Sequence, residues 1–400
     1  MSVCYGEDVS RSRARSFVMA TIASPRARSP PVTLAGNGTA QSANKECKVM
    51  TSASNTVVRP KVVPCRALEM APDEPEQATY GRAWQFLRAN EPGRRLDVHL
   101  SYTSFRSLEE QAQVLYGDAK YPRVEYSGTD CRVTIYTIPT ALHGRSAAAL
   151  EDCIRDSVRD ILIQHNKREL VKYVQAVGES TYEFTDDQGR PSTKTPDGGI
   201  VYCRFARSEL VIIIEVGVSE AYLQLKADIE LWLNSSQSPN GILLWLSEKP
   251  RFSFPSADSR SAYSATQHML TSSMEQARRD APFGPYLHSG HSWFGTLEAA
   301  SLEVYQRDLR TNIITWRKYP LLEGGSVLIR DESIDVGLTI SDIFSPDERA
   351  VDDIRLEPVR LDTGVLMEVL SAAAKDTAVD RFNAYVMPKV QGPTSELNIV

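Results

Sequence analysis

The sequence predicts an α/β fold: a mixed central sheet flanked by helices, a β-rich C-terminal extension and a disordered N-terminal tail. Three observations carry this. Residues 196–246 hold two strand-length runs, IVYCRF and LVIIIEV, around the turn sequence FARSE, then a helix-period segment, then another apolar run ending at Leu246. Upstream, residues 146–165 place Leu150, Ile154, Val158, Ile161 and Leu162 on one helical stripe. Downstream, strand-like runs recur at 302–310, 312–319, 326–330 and 334–336.

With 400 residues the chain has room for two or three average domains, or one larger domain with tails. Its 42% hydrophobic and 24% charged residues suit a soluble protein able to bury a sizeable core. The net charge of -6 argues against a general nucleic-acid binder with a basic footprint, while permitting a local basic groove. The cysteines, Cys4, Cys47, Cys65, Cys131, Cys153 and Cys203, are scattered without a C-x-x-C pair. That spacing argues against a zinc ribbon or a disulfide framework and predicts reduced thiols in an intracellular protein, cytoplasmic or nuclear. No apolar run approaches the roughly 18 residues of a membrane span, so no membrane partner is expected.

Residues 1–75 are rich in Ser, Arg, Pro, Ala and Thr, with Arg11, Arg13, Arg15, Arg26 and Arg28 set among serines and prolines. This reads as a basic disordered tail. A mitochondrial transit peptide is the alternative, opposed by Glu7, Asp8 and the prolines. One domain is expected over 80–345, with its core at 146–250, followed by a helical segment and tail over 346–400. Within it, a helix is expected at 81–89, a strand at 96–102 and a short helix at 107–116 capped by Ser107. Strands at 123–126 and 131–137 flank an SGTD turn. The helix at 146–165 has Ser146 as N-cap, and strands follow at 171–177 and 182–185. Residues 249–281 are helical in part, 283–294 aromatic and irregular, 340–344 a final strand or short helix, 347–374 helical in pieces, and the chain is loose from 388.

The chemistry-bearing residues fall in the hairpin. Asp197 follows Pro196, and Glu215 closes the most apolar run of the chain. Both are equidistant from Ala206, so an antiparallel hairpin centred there sets the two carboxylates opposite one another. Opposed like charges repel, and a divalent cation removes that repulsion. Carboxylates held in this way suit metal-assisted phosphodiester cleavage. A nearby amine would complete such a site. Gly217 and Ser219 share the face of Glu215 and carry none. Lys226 lies on a helical stripe with Tyr222, Ile229 and Leu233, from which it either points at the carboxylates or extends its ammonium to solvent. Glu151 lies on the apolar stripe of the earlier helix, where it either has a partner or ligand or complements the helix dipole. His143 precedes that helix and either approaches the site or serves the turn. Glu179 and Glu183 flank the strand before Asp197; either could join the acidic cluster, and exposed strand ends is the favoured reading. His288 and His291 have metal-compatible spacing without a third ligand nearby. Trp232 and Trp245 read as core. No GxxxxGK loop, GxSxG elbow or HExxH helix is present.

Pro196-Asp197 and Glu215-Val216-Gly217, in the order helix, strand, PD strand, E strand, helix, strand, resemble the PD-(D/E)XK restriction-endonuclease-like superfamily. The runs PDG, EVGVSE and the helix bearing Trp232 look more closely like an uncharacterised fungal group within it, as do IPTALHGR (138–145) and EVYQRD (303–308). The resemblance spans about residues 126–336. It implies a restriction-endonuclease-like core and hydrolysis of DNA or RNA. It makes Asp197 and Glu215 ligands of Mg2+ or Mn2+, Glu151 a possible third, and Lys226 a relocated catalytic lysine, since Gly217 stands where such nucleases commonly carry lysine. The alternative is a catalytically degenerate member of the fold acting as a nucleic-acid or protein interaction module. A secreted effector-like protein is a third reading, which no signal peptide supports.

Overall fold

The computed structural model describes residues 75–387 apart from 90–93, 117–121, 138, 178–179, 186–188, 205–206, 219–221, 236–237 and 330. The expected tail over 1–75, but for Pro75, and the loose end from 388 lie outside the described residues. The described chain is mixed α/β, built on two larger sheets and two two-stranded ribbons.

The first elements are α1 (Glu76–Ala89), β1 (Arg95–His99), α2 (Tyr102–Tyr116), β2 (Arg123–Ser127) and β3 (Arg132–Tyr136). They bury Ala83, Leu87, Val98, Phe105, Leu108, Val133 and Ile135 together. Helix α2 starts five residues before the expected Ser107. Ser101 supplies the cap instead: its Oγ accepts the Ser104 N–H at 3.2 Å, and Glu76 accepts the Ser101 N–H at 3.0 Å.

Helix α3 (Ala141–Gln164) likewise begins before the expected Ser146. Its N-cap is Thr140, whose side chain accepts the His143 N–H at 3.4 Å. Ser146 is fully buried inside the helix, where its hydroxyl donates back to the Leu142 carbonyl. Leu150, Ile154, Val158 and Leu162 are fully buried, a stripe contributing about 1.5–3 kcal/mol per side chain. A 3-10 turn, Arg168–Tyr173, replaces the start of the strand expected at 171–177 and leaves β4 (Val174–Ala176) as a short sheet edge.

The chain then visits the first sheet again. Strands β5 (Tyr182–Thr185) and β6 (Pro191–Lys194) complete its order β1-β3-β2-β6-β5. After Lys194 it crosses through Thr195 and Pro196 into β7 (Gly198–Arg204), which belongs to the second sheet. There follow β8 (Arg207–Val218), α4 (Tyr222–Asn234), β9 (Asn240–Lys249), α5 (Arg260–Thr266) and α6 (Leu270–Asp280). The stretch expected to be irregular at 283–294 is a two-stranded ribbon of β10 (Tyr286–His288) and β11 (His291–Phe294). Strands β12 (Thr296–Arg307), β13 (Ile314–Glu323) and β14 (Ser326–Val327) complete a seven-stranded sheet of order β14-β13-β12-β9-β8-β7-β4. In it β8 and β9 run parallel, joined through α4, and the other pairs are antiparallel.

Both faces of this sheet are covered, which is why β8 reads as a continuous apolar run. Ile212, Ile214 and Val216 pack towards α3. Ile213 packs on the other side with Leu225, Ile229 and Trp232 of α4. Alternation therefore directs Glu215 towards α4.

The segment expected to be helical in pieces over 347–374 contains a 3-10 turn, Arg349–Ile354, and a strand, β16 (Pro358–Asp362), paired with β15 (Ser333–Thr339). One long helix follows, α7 (Thr363–Val386), and buries Leu366, Leu370, Ala374 and Phe382 in the same core as α3. Residues after 345 thus share the main core. Among the described residues no helix is long and apolar enough to cross a membrane.

Candidate active site

The passage from β6 to β7 brings residues of both sheets to one place. Glu125 and Arg123 come from β2, Tyr136 from β3 and Lys194 from the end of β6. Asp197 lies just before β7, Glu215 near the end of β8, Asp228 and Trp232 on α4, and His143 in the first turn of α3.

Asp197 and Glu215 oppose each other at the open end of the β7–β8 hairpin. Gly198 pairs with Ile214, and the Asp197 N–H donates to the Ile214 carbonyl at 3.1 Å, which carries the register to Asp197 and Glu215. The register nearer the turn differs by one residue: Arg204 pairs with Arg207, and a bulge between Ile200 and Val201 absorbs the difference.

Each carboxylate is held. Asp197 Oδ2 accepts the Val216 N–H at 2.8 Å and lies 3.1 Å from His143 Nε2, while its Oδ1 is 3.5 Å from Arg123 Nη1. Burial alone would raise the Asp197 pKa. His143, Arg123 and the Val216 N–H outweigh burial and hold it below the ordinary carboxylate range. Glu215 Oε1 accepts the Trp232 indole N–H at 2.5 Å. Burial, with Asp197, Asp228 and Glu125 nearby, pushes the Glu215 pKa well up despite Lys194.

The lysine at this site is Lys194, which the sequence reading passed over. Its Nζ lies 3.3 Å from Asp228 Oδ1, 3.7 Å from Glu125 Oε2 and 3.8 Å from Glu215 Oε1. Burial opposes its charge, but these carboxylates overcome that and raise its pKa well above the ordinary lysine value. It is therefore an ammonium.

Lys226 is not in this cluster. Its Nζ lies over the Trp316 ring, 5.5 Å from the centroid. The reason is helical phase. Leu225, Asp228 and Trp232 are the buried face of α4 that meets the carboxylates, and Lys226 is turned away from it. Glu151 also has other work. Its Oε1 accepts the Gly199 N–H at 2.7 Å, and it packs under Gly198 where a Cβ would meet it at 3.0 Å. It does not line the cleft onto which Asp197 and Glu215 open. Among the described residues no three His, Cys, Asp or Glu side chains are placed to hold a metal ion by themselves. His288 and His291 bond separately, to Thr266 Oγ1 and the Ser253 carbonyl, both at 3.1 Å. Glu183 lies 3.8 Å from Arg106, and Glu179 falls outside the described residues.

The cleft has a volume of about 220 Å3. Arg94, Arg95, Arg123 and Arg381 line it together with Asp197, Glu215, Asp228 and Glu248. Arg381 grips Glu248 with both Nη atoms, at 2.7 and 2.8 Å. The guanidinium groups of Arg95 and Arg123 lie 5.1 and 4.7 Å from the Tyr136 ring centroid.

The donor set here is rich in carboxyl groups, the ligands that a hard divalent cation takes. Glu215 Oε2 and Asp228 Oδ2 accept no hydrogen bond among the described residues, and the carboxyl groups of Glu125, Asp197, Glu215 and Asp228 gather around Lys194 and Arg123. Mg2+ commonly takes only one or two carboxylates and completes its shell with water and substrate phosphate. Asp197 and Glu215 are the two that could supply them, with both Asp197 oxygens already engaged by His143, the Val216 N–H and Arg123.

No protein-family model matches the chain, and no curated protein matches it.

Proposed function

We propose that the chain is a divalent-cation-dependent phosphodiester hydrolase, a nuclease with a restriction-endonuclease-like core. One observation carries this: Asp197 and Glu215 oppose each other across β7 and β8, with the Lys194 ammonium 3.8 Å from Glu215, at an arginine-lined cleft. Asp197 and Glu215 would hold Mg2+ or Mn2+. When bound, the cation supplies Lewis-acid polarisation of the phosphate and lowers the pKa of a coordinated water.

The chain's own residues then have distinct parts. His143 and the Val216 N–H keep Asp197 ionised and fixed. The Trp232 indole orients Glu215 by its bond to Oε1. Lys194, held protonated, takes no proton from water, and its part is to hold Glu215 and Asp228 in place from behind the cleft. The arginines along the cleft attract and orient a phosphate group.

The test is cleavage by purified protein of single- and double-stranded DNA and RNA with Mg2+ or Mn2+. Activity abolished by a chelator and restored by the cation is expected. Cleavage unaffected by the chelator refutes the cation's part, and intact substrates under every condition refute the hydrolase reading.

A further inference from the structure

Asp228 lines the cleft together with Asp197 and Glu215 and is 8% exposed. Helical phase puts it there. Asp228 and Trp232 stand at i and i+4 on the buried face of α4, and the Trp232 indole N–H bonds Glu215 Oε1. Asp228 is held at one oxygen only. Its Oδ1 lies 3.3 Å from Lys194 Nζ and accepts a bond from Gln224 Nε2, also at 3.3 Å, while Oδ2 accepts no hydrogen bond among the described residues. Lys194 and Glu125, which share this ion cluster, do not line the cleft.

Asp228 and Glu215 also stand close together. The same Nζ reaches both, at 3.3 Å to Asp228 Oδ1 and 3.8 Å to Glu215 Oε1. Those two oxygens are therefore no further apart than these distances laid end to end. Mg2+ on a carboxylate oxygen stands about 2.1 Å from it and keeps several waters at about the same distance. Each such water donates a hydrogen bond about 2.7–2.8 Å long. Laid end to end these lengths span the same range, so the shell of a cation on Glu215 comes within reach of the Asp228 carboxylate. A hydrated ion also suits the donor set, because among the described residues no three His, Cys, Asp or Glu side chains are placed to hold a metal by themselves.

Resting on the hydrolase reading above, we propose that Asp228 is a positioning residue of this site: it accepts a hydrogen bond from a water in the shell of the cation that Glu215 holds, and so fixes where that hydrated ion stands. Partners of this kind are worth about 10–100-fold in metal affinity. Glu151, the third carboxylate that the resemblance implies, has its Oε1 on the Gly199 N–H and does not line the cleft.

The experiment titrates the full chain with Mn2+ alone and follows the free ion by its electron paramagnetic resonance signal, so that no turnover is needed. Asp228→Asn should weaken Mn2+ binding at least about tenfold. Glu125→Gln is the control: it takes a carboxylate from the same Lys194 ammonium, 3.7 Å away, at a position that does not line the cleft. It should weaken binding far less. Asp228→Ala serves where Asp228→Asn does not fold, since alanine is the best helix former. Mn2+ bound as tightly by Asp228→Asn as by wild type overturns the inference and leaves the hydrolase reading standing. Equal losses in Asp228→Asn and Glu125→Gln overturn it too, because Asp228 then acts only as a counter-charge to Lys194. If the wild-type protein binds no Mn2+, the cation's part in the hydrolase reading fails and this inference falls with it.

Discussion

Two lysines separate what the site needs from what surrounds it. Lys226 sits over Trp316, a contact worth about 0.5–1 kcal/mol at a half-exposed position. Lys226→Met is expected to lower stability by no more than that and to leave cleavage within about twofold, as a melting curve and a rate will show. Lys194→Met instead strands Glu125, Glu215 and Asp228 without their shared cation. It should cost about 3–5 kcal/mol. Cleavage should fall on the order of a hundredfold. Lysines affected in the reverse order would move the site to the Trp316 side of α4. Titration distinguishes the facing carboxylates in the same way. The folded pKa of Asp197 lies below its unfolded value of about 4, so its stabilising effect is present above that pH and is lost as pH falls through the folded value. The stability gap between wild type and Asp197→Asn should therefore shrink from about pH 5 to about pH 2 in denaturant titrations; a constant gap would contradict the pairing with His143 and Arg123. Burial pushes the Cys153 thiol up to about 11, while Cys131 is exposed. Peptide mass spectrometry after alkylation at mildly alkaline pH should find Cys131 modified well before Cys153.

The elements explain why some of the site was legible and some was not. The facing pair could be read because strand alternation and a short turn leave few choices of register. The mirror spacing about Ala206 holds at the open end through two departures that cancel: a tighter pairing at Arg204–Arg207 and a bulge beyond Ile200. Asp228 was also legible in principle, since Leu225, Asp228 and Trp232 fall at i, i+3 and i+7 on one face of α4. The stripe through Tyr222, Lys226 and Ile229 competes with it, and spacing alone does not rank the two. Lys194 and Glu125 were not legible, because their meeting depends on the chain leaving one sheet for the other at Thr195 and Pro196. Position 199 tests the hairpin directly. A Cβ on Gly199 would meet the Ile212 carbonyl at 2.8 Å, and backbone cannot swing aside as a side chain can. Gly199→Ala should separate β7 from β8 near Asp197 and Glu215, lowering both the melting temperature and the cleavage rate. An unchanged rate would show that the pair needs no such close approach.

At the scale of the whole molecule, the second sheet carries the carboxylate hairpin and the first closes one side of the cleft. Helix α7 had no readable stripe because it is apolar and alanine-rich around its circumference, as expected of a helix buried on several sides. It packs against α3, whose N-terminal turn holds His143 against Asp197. Phe382→Ala should cost about 3–5 kcal/mol in equilibrium unfolding, although Phe382 lies in the segment expected to stand outside the domain. On the proposed function, the Glu215 carboxylate is kept in a costly setting for chemistry. Its pKa is raised by burial among other carboxylates, so its ionisation opposes folding above its unfolded value of about 4.3. Glu215→Gln keeps an acceptor for the Trp232 indole and removes that charge. The measurement is therefore one variant read twice: cation-dependent cleavage of a labelled strand, and melting at neutral pH. Cleavage reduced on the order of a hundredfold or more is expected, with a melting temperature equal to or above wild type. Cleavage at the wild-type rate in a folded Glu215→Gln protein contradicts it.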